Sequence, residues 1–250
     1  MNMRLAVLTA SVIASPLVAQ TAAEHIAMGD REHAALNAAG ALRHYQAAIA
    51  AEPGNAEALW RASRDAIDLG EFDSAIRDSL YSLGEHYARR AVLANPQSSI
   101  THFALARAMG RTALSLGARD RVKLAGEIRS AALESLRLDS TNAGALHVLG
   151  VWHANVMRLS GVARFLAKNL LGGKVFDEAS WSDAVAYLER AVVLEPGRIV
   201  HKLALGSVYA DTGEKAKARA TYQAALALQP ADFNDRHYQR QADEGLRTLR

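Results

Sequence analysis

The chain has 250 residues, a formal charge of +3, five Pro and no Cys. This length suits one large or two small domains, and the missing cysteine excludes disulfide scaffolds, thiol nucleophiles, cysteine-ligated metal sites and cysteine-linked lipid anchors. The abundance of Ala, Leu, Arg and Glu favours helix over sheet, and the small positive charge gives no reason to expect a nucleic-acid partner.

The N-terminal segment has the three-part pattern of a secretory signal. Arg4 supplies a positive charge, residues 5–14 are almost wholly apolar, and small residues surround a cleavage point between Ala19 and Ala23. The apolar stretch is about half as long as a membrane span. We therefore expect residues 1–22 to be a signal peptide that exports the chain to the bacterial periplasm, with no transmembrane span in the mature chain. The alternative is a frayed N-terminal helix.

Proline residues divide the remaining chain into repeats. Pro53, Pro96, Pro196 and Pro230 stand in similar settings, and Ser140 stands in a fifth setting of the same shape without the proline. Because proline cannot continue a helix, each one ends a helix and begins a turn. Intervals of 34 to 56 residues are typical of helical repeat arrays.

Small residues recur at fixed distances from these five positions. Five residues before them lie Ala48, Ala91, Ser135, Ala191 and Ala225, and ten residues after the first four lie Ser63, Ala106, Gly150 and Gly206. Small side chains at such positions let two antiparallel helices pack closely. The interval 197–230, with Leu205-Gly206, Tyr209, Gly213, Ala218, Tyr222, Ala225 and Pro230, resembles the tetratricopeptide repeat signature. The pattern predicts an all-α fold, a right-handed superhelix of antiparallel helical hairpins.

The predicted elements follow the repeats along a single repeat domain, 23–250. Residues 24–51 read as one long or broken helix, weakened at Gly29 and Gly40. The next helices are expected at 55–69 and 71–94, 98–116 and 119–138, and 142–158 and 180–194, with an insert at 159–179. After the last repeat, residues 235–249 are expected to form a polar capping helix, since a repeat array needs its terminal face covered.

Three stretches resemble the regulator-of-microtubule-dynamics family. They are Ala-Leu-Trp-Arg-Ala-Ser-Arg at 58–64, Leu-His-Val-Leu-Gly-Val-Trp-His at 146–153 and Val-Met-Arg-Leu-Ser-Gly at 156–161. The resemblance covers about residues 35–245 and implies an all-helical, non-enzymatic domain. Eukaryotic relatives are linked to microtubules, to membrane contacts and in some cases to phospholipid binding. A secreted bacterial protein would not meet microtubules. The resemblance therefore predicts the fold but says little about the function.

The inner surface of the predicted array is the first candidate site. In stacked hairpins the first helix of each pair lines this surface, and helical spacing places six residues along one groove. They are Trp60, Arg64, Phe103, Arg107, Arg111 and His147. Arginines beside aromatic rings suit a carboxylate or a phosphate, which gives the hypothesis of an anion-accepting groove. In the alternative, the arginines pair with Glu57, Asp65 and Asp68 or are solvated.

The insert 159–179 is the second candidate site. It alternates apolar residues with basic ones, and Arg158, Phe165 and Lys168 are its candidate contact residues. A basic amphipathic helix can lie on an anionic membrane surface. It can equally plug the groove, or simply pack against the neighbouring repeats.

Signatures of metal sites and of catalysis are missing from the sequence. His147 and His153 are six residues apart, on different helix faces, and the His-x-x-x-His spacing of helical zinc sites is absent. No phosphate-binding loop or nucleophile elbow is present, and Trp152 and Trp181 are expected to be core anchors. We therefore expect no enzyme, metal, cofactor or nucleic acid, but a scaffold that binds a protein or peptide segment. The alternative is a carrier of lipid or another small amphiphile.

Overall fold

The computed structural model describes residues 20–170 and 174–249, and across these ranges it contains twelve α-helices and no strand. The all-α prediction is therefore confirmed. In chain order the helices are α1 (Ala22–Ala34), α2 (Ala38–Ala51), α3 (Ala56–Phe72), α4 (Arg77–Ala94), α5 (Ser99–Thr112), α6 (Ala118–Leu138), α7 (Ala143–Arg158), α8 (Gly161–Leu170), α9 (Trp181–Leu194), α10 (Ile199–Asp211), α11 (Lys215–Leu226) and α12 (Asp235–Thr248). Short 3-10 turns occupy Ala113–Ser115 and Lys174–Glu178.

The repeat boundaries fall where the prolines predict them. Helices α2, α4 and α9 each end within two residues before a proline. Side-chain oxygens then begin the next first helices: Asn55 accepts the N–H of Ala58 at 3.0 Å and Asn142 accepts that of Ala145 at 2.9 Å. An N-cap of this kind satisfies a backbone donor that the first turn of a helix leaves free.

Close helix contacts build each hairpin. The pairs are α1 with α2, α3 with α4, α5 with α6, α7 with α9, and α10 with α11. The small residues expected at the contacts are buried, and Ala48, Ala91, Ala106, Ala191 and Ala225 are fully inaccessible. At Gly206 the ring of Tyr222 lies so close that a β-carbon would stand 2.7 Å from it. The small positions therefore set the distance between the two helices of a hairpin.

The first hairpin corrects one prediction. The break in residues 24–51 lies at 35–37, where Leu36 has a positive φ of 59°, and not at Gly29 or Gly40. Gly29 instead lies inside α1, where a β-carbon would be 2.4 Å from the Tyr45 ring. Gly40 lies in the first turn of α2 and donates its N–H to Asn37. Both glycines are contact points and not weak points. The second helix of the following hairpin also begins later than predicted. It was expected at 71–94, but α4 begins at Arg77.

The insert forms α8 and the 3-10 turn after it. Ala167 and Phe176 are buried in the core beside Trp152, whose indole N–H donates to the Ala125 carbonyl at 2.9 Å. Val162 and Phe165 of α8 are 71% and 63% exposed. Trp152 is therefore a core residue as predicted, and the insert is held by part of its apolar surface only.

The C-terminal helix α12 packs on α10 and α11, as a capping helix should. It also reaches back across the molecule to α3, from which its residues are separated by more than 160 positions in the chain. Within the part of the chain that the structure describes, no helix combines the length and apolar character that crossing a bilayer would require.

Gly150 tests the close contact inside a hairpin. An added β-carbon would stand 2.5 Å from Cγ of the buried Leu188 and 3.1 Å from the Ala184 carbonyl oxygen. Overpacking of this kind costs about 1–3 kcal/mol, so Gly150→Ala should lower the free energy of unfolding measured by chemical denaturation. Gly126→Ala in α6 is the matched control, because its methyl group meets nothing within 4 Å and alanine favours helix. Equal effects at both positions would contradict the proposed contact.

Candidate functional site

The first helices of four hairpins, α3, α5, α7 and α10, line one large groove. Its volume is about 1870 Å³, and residues of α12 form part of its wall. All six residues predicted for the inner surface line this groove: Trp60, Arg64, Phe103, Arg107, Arg111 and His147. The structure thus brings all six side chains to one groove.

The three groove arginines already have carboxylate partners. Arg64 pairs with Asp65 at 3.0 Å, Arg111 pairs with Glu71 at 2.8 Å, and Arg107 pairs with Asp68 and lies 3.6 Å from Glu71. Two of these acids, Asp65 and Asp68, are partners that the alternative interpretation named. The third acid that the alternative interpretation named, Glu57, does not pair with a groove arginine named above but with Arg61 at 2.8 Å. The positive charge of the groove is therefore largely compensated within the chain.

Burial makes this ion cluster energetically important. Asp68 is 4% exposed, and burial raises the pKa of its carboxyl although the Arg107 guanidinium acts in the opposite direction. Burial alone would lower the pKa of Arg107, but the adjacent Asp68 and Glu71 carboxylates outweigh it and raise that pKa. Each partner thus depends on the other to remain charged away from water.

The C-terminal segment closes one side of the groove against α3. The side-chain amide of Asn234 donates to the Asp68 carbonyl at 3.0 Å, and the Tyr238 hydroxyl donates to Glu71. The rings of Phe72 and Phe233 lie 5.5 Å apart beside these bonds. We call these contacts the seam. Sequence reasoning missed the seam, because no periodic pattern links residues so far apart in the chain.

Trp60 lies among cations at one end of the groove. The guanidinium of Arg61 is 4.5 Å from its ring centroid and that of Arg64 is 5.4 Å away. Arg64 also donates to the Tyr45 hydroxyl at 3.1 Å, and Tyr45 in turn donates to Asp30 at 2.8 Å. These bonds hold the arginine and the indole in a fixed arrangement before any ligand arrives.

Two histidines meet on the groove wall. Nδ1 of His147 lies 3.1 Å from Nδ1 of His201, and Nε2 of His201 lies 3.2 Å from the Glu195 carboxylate. Burial lowers the pKa of His147 well below its usual value, and His201, Arg111 and Arg107 add to this effect. Sequence reasoning selected His147 but not His201, which belongs to another repeat and faces it only in the folded array.

The three candidate contact residues of the insert, Arg158, Phe165 and Lys168, differ in where the structure places them. Arg158 lines the groove and bonds to Asp211 and to the Ser207 hydroxyl at 2.9 Å, which ties the end of α7 to α10. Phe165 lies on the exposed side of α8. The side chain of Lys168 lies outside the described residues. Over the described ranges, no group of three or more His, Cys, Asp or Glu side chains is arranged to hold a metal ion.

Comparisons with known proteins agree with this architecture. The family described as Regulator of microtubule dynamics protein 1-3 matches residues 21–250. Regulator of microtubule dynamics protein 1 of Bos taurus is 26% identical over 200 residues, which are 78% of this chain and 62% of that protein. The chain therefore spans less than two thirds of that relative's length. A thermophilic TPR protein of Thermus thermophilus superposes with a TM-score of 0.65 at 21% identity, over 89% of this chain and 99% of the other. This likeness shows the tetratricopeptide fold.

Arg107→Met tests the buried ion cluster. Removing one partner of a buried pair costs about 3–5 kcal/mol, because Asp68 would be left charged and buried. Since the pKa of Asp68 is already raised, its carboxyl takes up a proton more readily in the folded chain than in the unfolded chain. The loss of stability should therefore be large at about pH 7 and should shrink as the pH falls towards about 4.5.

The measurement is chemical denaturation of the variant and the wild type at both pH values. Arg137→Met is the matched control, because the pair of Arg137 with Glu134 is on the surface and such pairs contribute little. A loss in Arg107→Met that is the same at both pH values would show that Asp68 is not the group left uncompensated.

Proposed function

The chain belongs to the Regulator of microtubule dynamics protein 1-3 family, and we propose that it is a non-enzymatic scaffold whose groove accepts a segment of a protein or peptide. The observation that supports this most is a single groove of about 1870 Å³, lined by aromatic rings and arginines from three successive hairpins. Pockets for small ligands are usually about 300–1,000 Å³. The volume therefore suits an extended segment better than a compact metabolite.

The two groove aromatics would serve as anchors for such a segment. Trp60 lies against two guanidinium groups, and Phe103 packs against Gly144, where a β-carbon would be 2.4 Å from its ring. Rigid aromatic side chains lose little conformational freedom on binding, which is one reason that they dominate binding energy at interfaces.

An acidic segment is the finer part of this proposal. Arg64, Arg107 and Arg111 attract carboxylates, but an incoming one would have to compete with Asp65, Asp68 and Glu71. The role of these pairs would be to keep the guanidinium groups oriented in the empty groove. The same pairing supports a non-enzymatic function, because these charged groups hold one another in place.

A carrier of lipid or another small amphiphile is the second candidate. One part of the groove wall, formed by α7 and the insert 159–179, is apolar and includes Trp152, Val156, Leu159, Ala167 and Phe176. An acyl chain would find hydrocarbon surface there, while the arginines at the other end would face a polar headgroup. The exposed Val162 and Phe165 of α8 would then contact the membrane during loading.

We also propose that the chain is exported to the bacterial periplasm after removal of its N-terminal signal. Residues 1–19 lie outside the described residues. Thr21 begins α1 with a reciprocal cap, in which its side chain accepts the Glu24 N–H at 3.2 Å and Glu24 accepts the Thr21 N–H at 2.7 Å. Cleavage after residue 22 would remove this cap, whereas cleavage after Ala19 would retain it.

N-terminal sequencing of the mature chain tests the proposed export. We expect the secreted protein to begin at Gln20 or Thr21, since this start keeps the cap, which contributes about 1 kcal/mol. An intact Met1 on protein recovered from the periplasmic fraction would refute cleavage. Recovery in the cytoplasmic fraction alone would refute export.

A photo-crosslinking amino acid at position 60 tests the proposed groove function. A scaffold should yield a covalent adduct with a polypeptide from that position and none from position 93, since Leu93 is 82% exposed on α4 and does not line the groove. With the captured segment as probe, Trp60→Ala should weaken binding by about 2 kcal/mol or more, about 30-fold, while Leu93→Ala should not.

Native mass spectrometry of the purified chain separates the two candidates. A retained lipid mass, together with a lipid adduct at position 60, would favour the carrier over the scaffold. Equal polypeptide adducts from positions 60 and 93 would contradict groove binding.

A further inference from the structure

The histidine pair on the groove wall has a defined hydrogen-bond order. The ring centroids of His147 and His201 are 4.9 Å apart, and the two Nδ1 atoms face each other at 3.1 Å. At this distance a hydrogen bond requires one proton between the two nitrogens, since two bare nitrogens or two N–H groups would repel. The Glu195 carboxylate accepts from the other nitrogen of His201, so that Nε2 carries a proton.

This order determines whether Nε2 of His147 is a hydrogen-bond donor or an acceptor towards the groove. When His201 is neutral with its proton on Nε2, its Nδ1 is bare and accepts from Nδ1–H of His147. Nε2 of His147 is then bare as well. Among the described residues no hydrogen-bond partner is found for that atom, and His147 lines the groove. The groove therefore presents a hydrogen-bond acceptor at this point.

One added proton reverses this polarity. If His147 takes the proton, both of its nitrogens become donors. If His201 takes it, both nitrogens of His201 donate, His147 must accept at Nδ1, and its own proton moves to Nε2. In either arrangement Nε2 of His147 becomes a donor and the pair carries one positive charge.

The charges around the pair explain why this proton matters. On the α5 side stand Arg107 and Arg111, held by Asp68 and Glu71 of α3, with the Tyr238 hydroxyl of α12 on Glu71. On the α10 side stand Glu195 and Arg198, and Arg198 is paired with Asp232. Each arginine near His147 already has a carboxylate, so the proton on the histidine pair is the positive charge still to be added.

We propose that the His147–His201 pair forms an anion subsite only when it takes up a proton, and that a carboxylate of the bound peptide segment occupies it at Nε2 of His147. This inference rests on the proposed groove function and specifies one contact within it. A single N–H donor suits one carboxylate oxygen, whereas phosphate sites commonly use bidentate arginines, and here the arginines are engaged. The low pKa of His147 keeps its own ring neutral at neutral pH in the empty groove, and an adjacent anion raises that pKa.

The coupling has a definite sign. Because the complex holds one proton more than the free chain, affinity for an acidic segment rises as the pH falls. At a pH where the pair in the free chain is neutral, the association constant should increase about tenfold for each unit of pH decrease. A segment without carboxylates gains nothing from the proton and should bind with little dependence on pH.

The test uses the whole mature chain with a tetraglutamate peptide and its tetraglutamine counterpart as probes. Long-range ¹H–¹⁵N NMR of the histidine rings reports the protonation of each nitrogen in the free chain, and calorimetry in two buffers of different ionisation enthalpy counts the protons taken up. We expect a bare Nε2 on His147 at about pH 8, uptake of about one proton with tetraglutamate, and none with tetraglutamine.

His147→Gln and His102→Gln form the matched pair of variants. In His147→Gln the proton uptake and the tenfold pH dependence should both disappear. In His102→Gln they should persist, because His102 is bonded to the Pro96 carbonyl at 2.9 Å and does not line the groove. Circular dichroism checks that both variants fold. If His147→Gln does not fold, the NMR result on the wild type still decides the hydrogen-bond order.

Three results would overturn the inference. They are a protonated Nε2 on His147 at about pH 8, tetraglutamate binding without proton uptake, and proton uptake that survives in His147→Gln. Absence of tetraglutamate binding at every pH, or binding only to anionic phosphatidylglycerol vesicles, would overturn the carboxylate subsite. If a polypeptide is nevertheless captured at position 60, the groove function stands and only the subsite falls.

Discussion

Close approach between the two helices of each hairpin is the constraint on which the rest of the structure depends. A side chain of one residue at the crossing sets the interhelical distance, and that distance sets the tilt of every following hairpin. In this chain alanine, glycine or serine occupies the crossing, and at two of the glycines a side chain from the partner helix lies directly above it, Tyr222 at Gly206 and Leu188 at Gly150. The groove exists because four first helices, each placed in this way, present their remaining faces to one side.

Residues governed by local rules could be predicted from the sequence, and residues governed by distant contacts could not. Proline stops, asparagine caps and small crossing positions act within a few residues, so the array and its six groove residues follow from spacing alone. The prediction of a weak point at Gly29 was wrong because the role of this residue is set by the Tyr45 ring across the hairpin. Its neighbours in the sequence indicate only a residue that disfavours helix. The seam and the histidine pair join residues whose separation in the chain is unrelated to the repeat period. For that reason no sequence pattern predicts these contacts.

The groove combines an ordered interior with charges that are already matched. Buried carboxylates orient the arginines and the arginines hold the carboxylates, so that neither set is free to rearrange independently. Such a surface recognises a ligand by shape and by a few uncommitted donors and acceptors more than by net charge. Apolar residues of α7 and of the insert 159–179 line the same groove as the arginines of α3 and α5.

The seam changes the mechanics of the array. An open solenoid behaves like a spring, because each repeat touches only its neighbours and the ends can move apart by small adjustments at every interface. Here Asn234 and Tyr238, at the start of the last helix, bond to Asp68 and Glu71 in the second hairpin. Stretching the molecule then requires these buried polar bonds to break first. The seam also joins residues more than 160 positions apart in the chain, and contacts of such long range raise the contact order of an otherwise locally connected array.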